Sequence, residues 1–432
     1  MDTKRHLTEG FHRLRQCDRL SRVKEFCNLT EDEIDTLSGK KAVSLEIAEH
    51  LIENVVGYFP IPLGVATNFT IDSRDILIPM AVEETSIIAA ASATAKWVRK
   101  EGSIRTYSKG RLIIGQVQLP YVRDIGRTRH ILHEERETLL EIANTCVPAL
   151  VSRGGGVSDI AIREVSRSTG DGTMLVLHIL CDPCDAMGAN MINQICEAMK
   201  PHIEDLTSEK VGLCILSNLV DTKLAAAEVV VRNVDPVVGK GIQEATLFAK
   251  SDPYRAATHN KGVLNGIDPI LIATGNDWRA VESGVHAYAA RSGVYQPVTD
   301  WYMKGRDLVG NIEVPMSVGT VGGVTRLHPV ARVALKMLGV SKAEELARIC
   351  AAVGLVQNLG ALKALATVGI VKGHMQLHAA NLAIAAGAEI HEIPKVREKL
   401  AEVLRVEKRI NLTKAKEILE AIRVSEGSAA LF

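Results

Sequence analysis

Residues 252–284 read DPYRAATHNKGVLNGIDPILIATGNDWRAVESG and set Arg255, His259, Asn260, Lys261, Asn265, Asp268, Asn276, Asp277 and Arg279 around apolar runs. An apolar run bracketed by ionisable side chains suits a catalytic cleft. A lysine beside an aspartate keeps its charge despite desolvation and can face an oxygen that gains negative charge. The same stretch also fits surface turns with ordinary ion pairs, because Asn-Gly and Gly-Asn-Asp are good turn formers. A second segment, DAMGAN at residues 185–190, stands between a strand-like and a helix-like stretch. Its glycine and small alanines let a ligand approach the free amides of a helix N-terminus, which suit a phosphate. A tight structural turn has the same composition. It is not the GxGxxG of a Rossmann nucleotide fold.

A third cluster, GHMQLH at residues 373–378, places His374 and His378 four apart. On a helix they would share a face, but the glutamate of a zinc-binding HExxH is missing. A single histidine acting as a general acid near neutral pH fits better. Cys181 and Cys184 form one CxxC with no second pair at finger spacing, so they read as core thiols, and no metal site is expected. Glu83 and Glu84 precede an alanine-rich stretch; they can cap it, or donate a proton if burial raises a carboxyl pKa.

The elements that must position these groups follow from periodicity and punctuation. Thr30 and Glu33 form a capping-box signature, and residues 45–56 continue with helix formers. Pro60 and Pro62 force an extended segment, residues 76–79 read as a strand, and residues 83–100 as a helix buried on most sides. Residues 112–119, 157–165, 173–180 and 211–216 read as strands, with helices at 127–143 and 191–199. That mixture suggests an inserted α/β or α+β unit. Beyond it, helices are expected at 241–250, 278–290, 329–338 and 342–365, and a hairpin at 299–316. Residues 318–324 carry three glycines, and the charged, amphipathic tail reads as a helical appendage able to act as a lid or simply to dock.

A chain of 432 residues exceeds a single ordinary core, so two or three domains are expected. Lysine plus arginine and aspartate plus glutamate number 51 each, so no global charge pulls the chain towards nucleic acid or an anionic membrane. No run reaches the roughly 20 apolar residues that cross a bilayer, and the N-terminus lacks a secretory apolar core. The eight scattered cysteines read as reduced thiols of a cytoplasmic protein.

Taken together and in order, ENVVG (53–57), EETS (83–86), DAMGAN, THNKG (258–262), GNDWRA (275–280) and GHM (373–375) make the chain closely similar to the class II 3-hydroxy-3-methylglutaryl-coenzyme A (HMG-CoA) reductases. The likeness runs along nearly the whole chain. It implies a mixed α/β, α+β architecture: a large domain around a buried central helix (1–110 and 220–370), an inserted small, non-Rossmann, ferredoxin-like nucleotide domain (111–219), and a mobile helical flap (371–432). It implies an oxidoreductase interconverting HMG-CoA with mevalonate and CoA by two hydride transfers with NADH or NADPH, without a metal. A homodimer or an oligomer built from dimers is implied, with the active site at the dimer interface.

By motif, the family's catalytic glutamate, lysine, aspartate and histidine match Glu84, Lys261, Asp277 and His374. Ser86, Arg255 and Asn265 would bind the substrate's carboxylate and hydroxyl end. Asp185, Ala186, Met187, Gly188, Ala189, Asn190 and Asn218 would hold the dinucleotide, with Arg153 and Arg163 as further phosphate contacts. The resemblance gives Lys261 the oxyanion and His374 the protonation of the departing CoA sulfur. It gives Glu84 the final proton and puts Asp277 in a coupled network between Lys261 and Glu84. The family usually has proline where this chain has Thr85, which implies a change of local rigidity. Residues 145–152 carry no acidic group to repel a 2′-phosphate, so dual nucleotide use or an NADPH preference is expected.

Overall fold

The computed structural model describes residues 4–41, 43–170, 172–367, 369, 379–407 and 409–429. The capping box forms as expected: Thr30 and Glu33 bond each other's backbone amides at the head of the helix Glu31–Leu37. The helix expected to run on to residue 56 is confined to Leu45–Glu49. Strands β1 (Leu63–Ile71) and β2 (Arg74–Ala81) then make an antiparallel hairpin. Asp72 and Ser73 turn it with left-handed backbone, φ 49° and 65°, as a two-residue hairpin loop demands.

The alanine-rich helix spans Ile87–Glu101. It is amphipathic rather than buried on most sides: Ala91, Thr94, Ala95 and Val98 face the core, while Ala89, Ala93, Lys96 and Lys100 are exposed. Alanine is small enough to look like core in sequence yet cheap to leave in water. After β3 (Gly102–Lys109) the chain enters a unit built from β4 (Ile113–Leu119), β5 (Gly156–Ser166), β6 (Thr173–Asp182) and β7 (Cys214–Ser217). These strands pair antiparallel in the order β5-β6-β4-β7. Helices lie between β4 and β5 and between β6 and β7, so the connectivity is the ferredoxin-like βαββαβ. The single helix expected at 127–143 is two, Ile125–Glu134 and Arg136–Thr145, because Glu135 leaves helical geometry at ψ 11°.

The return to the large unit is made by β8 (Leu224–Val231), followed later by the hairpin of β9 (Thr299–Lys304) and β10 (Asp307–Pro315). The sheet order is β3-β8-β10-β9. The helix Ala343–Ala366 packs into the main apolar cluster through Leu346, Cys350, Val353, Leu355 and Leu359. By length and mean hydropathy it qualifies as a membrane span, so the expectation that no run is long and apolar enough is corrected; two thirds of its most apolar stretch is buried inside the protein. The second long helix of this core is Pro253–Ala273, where the sequence left turns open. Gly266 and Gly354 let the two helices touch: a Cβ on Gly266 would stand 2.9 Å from Val353 O, and one on Gly354 2.9 Å from Ile267 Cγ1. Asn265-Gly266 therefore marks a close helix crossing rather than a turn.

A separate apolar cluster joins β4, β6 and the helix Ala189–Thr207, and a third joins Ala379, Ala383, Val396, Leu400, Ala415 and Leu419 of the C-terminal helices. His374 and the whole GHMQLH segment lie outside the described residues.

Candidate active site

The helix Pro253–Ala273 starts where it does because Asp252 accepts the amide of Tyr254 at 2.9 Å and Pro253 fills the first turn. Lys261, Asn265, Asp268 and Ile272 recur at spacings of four, three and four, which puts them on one face. That face walls a cleft of about 710 Å³, whose lining includes Glu84, Asn276, Asp277 and Arg279. Glu84 comes from the bend between β2 and the alanine-rich helix. The helix was expected to begin at residue 83, with both glutamates in its first turn. It begins at Ile87, and Ser86 at its N-cap has φ 81°. A non-glycine residue in that region costs about 1–2 kcal/mol. The bend it makes turns Glu84 into the cleft rather than along the helix. The Ser86 hydroxyl is buried with no hydrogen-bond partner.

Lys261 Nζ stands 3.1 Å from Glu84 Oε2. Their side chains are 61% and 44% exposed, so in the single chain this pair is wet and not the dry crevice the sequence suggested. The cleft is open to solvent. Asp277 shares the cleft with Lys261 and Glu84. Its Oδ1 accepts the amides of Arg279 and Ala280 at 3.1 and 3.2 Å and the Arg279 Nε at 3.3 Å. An aspartate immediately before a helix is drawn to the free amides of its first turn; here that helix is Trp278–Ala289.

Asp268, present in the sequence segment but given no role there, is a cleft carboxyl. Burial, followed by the nearby carboxylate of Glu282, holds it protonated well above the ordinary carboxylate range, against the pull of Lys261. Its spacing of seven from Lys261 was legible, whereas Glu282 on another helix was not. His259, by contrast, is structural. Its Nε2 meets Thr299 Oγ1 at 2.5 Å, Thr299 donates to Asn358 Oδ1 at 2.9 Å, and burial pushes the imidazole down to about 4. Arg255, six residues before Lys261, has no hydrogen-bond or ion-pair partner among the described residues, and partial burial lowers its pKa. Asn265 lines the cleft.

The DAMGAN segment reaches this cleft through one intermediary. Gly188, at φ 94°, caps the helix Ala189–Thr207, where a Cβ would strike Ile113 Cδ1 at 2.5 Å. Asp185 Oδ1 accepts the Ala343 amide at 2.9 Å, and its carbonyl accepts that of Thr320. Gly319 lies so close that a Cβ there would be 2.7 Å from Met187 N, and the Gly319 amide donates to Asn276 Oδ1 at 2.8 Å. Met187, Ala189, Asn218 and Ser317 line one crevice, with Ala186 in the bend before it and Asn190 exposed in the first turn. Such a glycine-lined approach to a helix N-terminus fits a dinucleotide. Arg153 stands beside Cys184, its carbonyl 3.9 Å from that sulfur and its Nε bonded to Ala149 O, while Arg163 is bonded to His178. Cys181 and Cys184 are free thiols, and burial pushes Cys181 up to about 12, which makes it inert.

Lys223, also not singled out in the sequence, sits where the chain passes back from the small unit to β8. Its ammonium is buried without a hydrogen-bond partner, and burial lowers it to about 8 against the attraction of Asp182 and Asp185.

The profile of the hydroxymethylglutaryl-coenzyme A reductase family matches residues 16–379. A 3-hydroxy-3-methylglutaryl-coenzyme A reductase of Archaeoglobus fulgidus is 46% identical over 419 residues, covering 96% of this chain and 94% of the relative. A probable enzyme of the same name from Borreliella burgdorferi is 34% identical and covers 76% of each. Among solved structures, a 3-hydroxy-3-methylglutaryl-coenzyme A reductase of Streptococcus pneumoniae superposes with a TM-score of 0.81 at 37% identity, over 96% of this chain and 99% of the other. A class II enzyme from the same organism, bound to NADPH in open conformations, gives 0.80 at 37% identity over 83% of this chain and 99% of the other.

Proposed function

The chain belongs to the hydroxymethylglutaryl-coenzyme A reductase family, and on that premise we propose that Glu84, Lys261, Asp277 and His374 carry its chemistry. The enzyme interconverts HMG-CoA with mevalonate and CoA, using a nicotinamide nucleotide as its redox partner. The observation that carries the assignment of residues is the Lys261–Glu84 pair, set in a cleft whose Asn276 touches the segment packed on DAMGAN.

Residues 185–190 and Asn218 would hold the dinucleotide, which supplies hydride in both reductions. What supports the fit is the Gly188 cap and the crevice of Met187, Ala189 and Asn218. Lys261 holds the thioester oxygen as it gains charge, exchanging part of its pairing with Glu84 for the new anion. His374 protonates the sulfur of departing CoA. Glu84 gives a proton, taken up from an acid in solvent such as hydronium or buffer, to the final alkoxide and is left as the carboxylate beside Lys261. Asp277 acts by fixing the N-terminus of Trp278–Ala289 and Arg279 at the cleft wall. Ser86, Arg255 and Asn265 bind the carboxylate and hydroxyl end; an Arg255 with no hydrogen-bond partner among the described residues and the buried Ser86 hydroxyl support this.

The division into residues 1–110 with 220–370, 111–219 and 371–432 is favoured by the separate apolar clusters. A homodimer is favoured by residues 51–61, where Ile52, Val56 and Phe59 are 62%, 102% and 91% exposed. The core position of the helix Ala343–Ala366 supports a cytoplasmic enzyme. NADPH, the nucleotide of the pneumococcal structure, or dual use fits the absence of acidic groups at 145–152.

The deciding experiment follows absorbance of the reduced nicotinamide on adding HMG-CoA, with NADH and NADPH compared by kcat/KM. Consumption of HMG-CoA by C–C cleavage or loss of water, with the thioester kept and the nucleotide not oxidised, would instead indicate a lyase or hydratase, and a strong NADH preference would overturn the nucleotide reading.

A further inference from the structure

One side chain on the cleft wall, Asn276, has both ends of its amide in use. Its Oδ1 accepts the Gly319 amide at 2.8 Å. Its Nδ2 donates to Thr274 Oγ1 at 3.0 Å, and that hydroxyl donates in turn to Ile270 O at 2.8 Å. A backbone amide can only donate, so it must meet the oxygen of Asn276, and the nitrogen is left for an acceptor. Thr274 is fully buried and caps the helix that carries Lys261, so this end is anchored in the core. The backbone of Asn276 is held as well, its N bonded to Leu271 O at 2.8 Å after Gly275 turns the chain at φ 67°. On either side of Gly319, Thr320 N donates to Asp185 O at 2.9 Å and Ser317 Oγ to Met187 O at 3.5 Å.

We propose that Asn276 is a positioning residue for hydride transfer. Its amide ties the loop under the dinucleotide turn to the end of the Lys261 helix, and so places nicotinamide and thioester for reaction. The tie governs how the two sites stand to each other rather than how either binds its own ligand. A misplacement of about 1 Å can cost about a hundredfold in rate. The proposal rests on the reading of residues 185–190 as the dinucleotide turn.

Stopped-flow measurements on the full-length enzyme test it. Enzyme loaded with stoichiometric NADPH is mixed with saturating HMG-CoA, and loss of nicotinamide fluorescence reports the first hydride transfer. In Asn276→Ala that rate should fall about thirtyfold, while Kd for NADPH and for HMG-CoA, each titrated alone, stays within about threefold. Thr274→Val keeps the side chain's shape without the hydroxyl and should slow transfer about fivefold. Thr274→Ser keeps the hydroxyl and should slow it less than Thr274→Val does. Thr274 is not among the residues lining the cleft, so this pair decides the matter even if Asn276→Ala does not fold. Transfer in Asn276→Ala within about threefold of wild type, a loss that merely follows a weakened Kd for either ligand, or Thr274→Ser as slow as Thr274→Val would each overturn the proposal. The reading of the turn is checked apart from this, by Kd for NADPH in Gly188→Ala. An unchanged value there counts against the turn itself, whatever Asn276→Ala does.

Discussion

Lys261 and Glu84 meet across the cleft at 3.1 Å, although 177 residues separate them in the chain. One sits on a long core helix and the other in a bend beyond a strand. The pair is half in water, so it contributes at most about 1 kcal/mol to stability. Its value lies in chemistry. Lys261→Ala should lower kcat about a hundredfold or more while the melting temperature stays nearly unchanged. Steady-state rates beside thermal melts check this, and a loss of less than tenfold in kcat would remove Lys261 from the mechanism.

Asp277 makes a different prediction because its carboxylate is bound to helix amides and Arg279. Asp277→Ala should cost about 1 kcal/mol through the lost cap, and Asp277→Asn a few tenths. If Asp277 works through position, Asp277→Asn should retain clearly more activity than Asp277→Ala. Equal, complete loss in both variants would mean that its charge acts directly.

His259 sets an acid limit to stability. Its imidazole stays neutral down to about 4 in the fold, whereas the unfolded chain binds the proton near the ordinary value of about 6.5. The unfolded state therefore holds more protons between those values. The stability is fully present above about pH 6.5 and is lost as pH falls towards 4, in total on the order of 3 kcal/mol. Urea unfolding at several pH values should show that slope in wild type and a flatter one in His259→Gln. Parallel slopes would contradict the assignment.

Gly188→Ala places a methyl group 2.5 Å from Ile113 Cδ1 on a backbone with φ 94°. KM for the nucleotide should rise about tenfold, with KM for HMG-CoA changed far less. A variant with both constants unchanged would take the dinucleotide away from this turn.

How much was legible depended on how local the cause was. The capping box at Thr30 and Glu33 and the helix Pro329–Leu338 are written in neighbouring residues and formed where expected. Among the motif residues, Glu84, Lys261, Asn265 and Asp277 line one cleft, whereas Ser86 and Arg255 are not among its lining residues. The helix that carries Lys261 was hidden because Asn265-Gly266 and Pro269 look like breakers; the reason for Gly266 is Gly354 on another helix. The left-handed Ser86 and the Glu282 partner of Asp268 are likewise tertiary facts. The cap role of Asp277, by contrast, is local, set by the amides of the helix that follows it.

The contact between Gly319 and Met187 N has one more consequence. The loop that would carry the reductant rests on the loop bonded to Asn276 with no side chain between them, so their separation is set by main-chain atoms. Drift in neighbouring side chains can change what each loop binds, but it leaves that spacer at its fixed length. A larger residue at 319 would push donor and acceptor halves apart together, which makes this glycine a gauge for the hydride's path rather than a hinge.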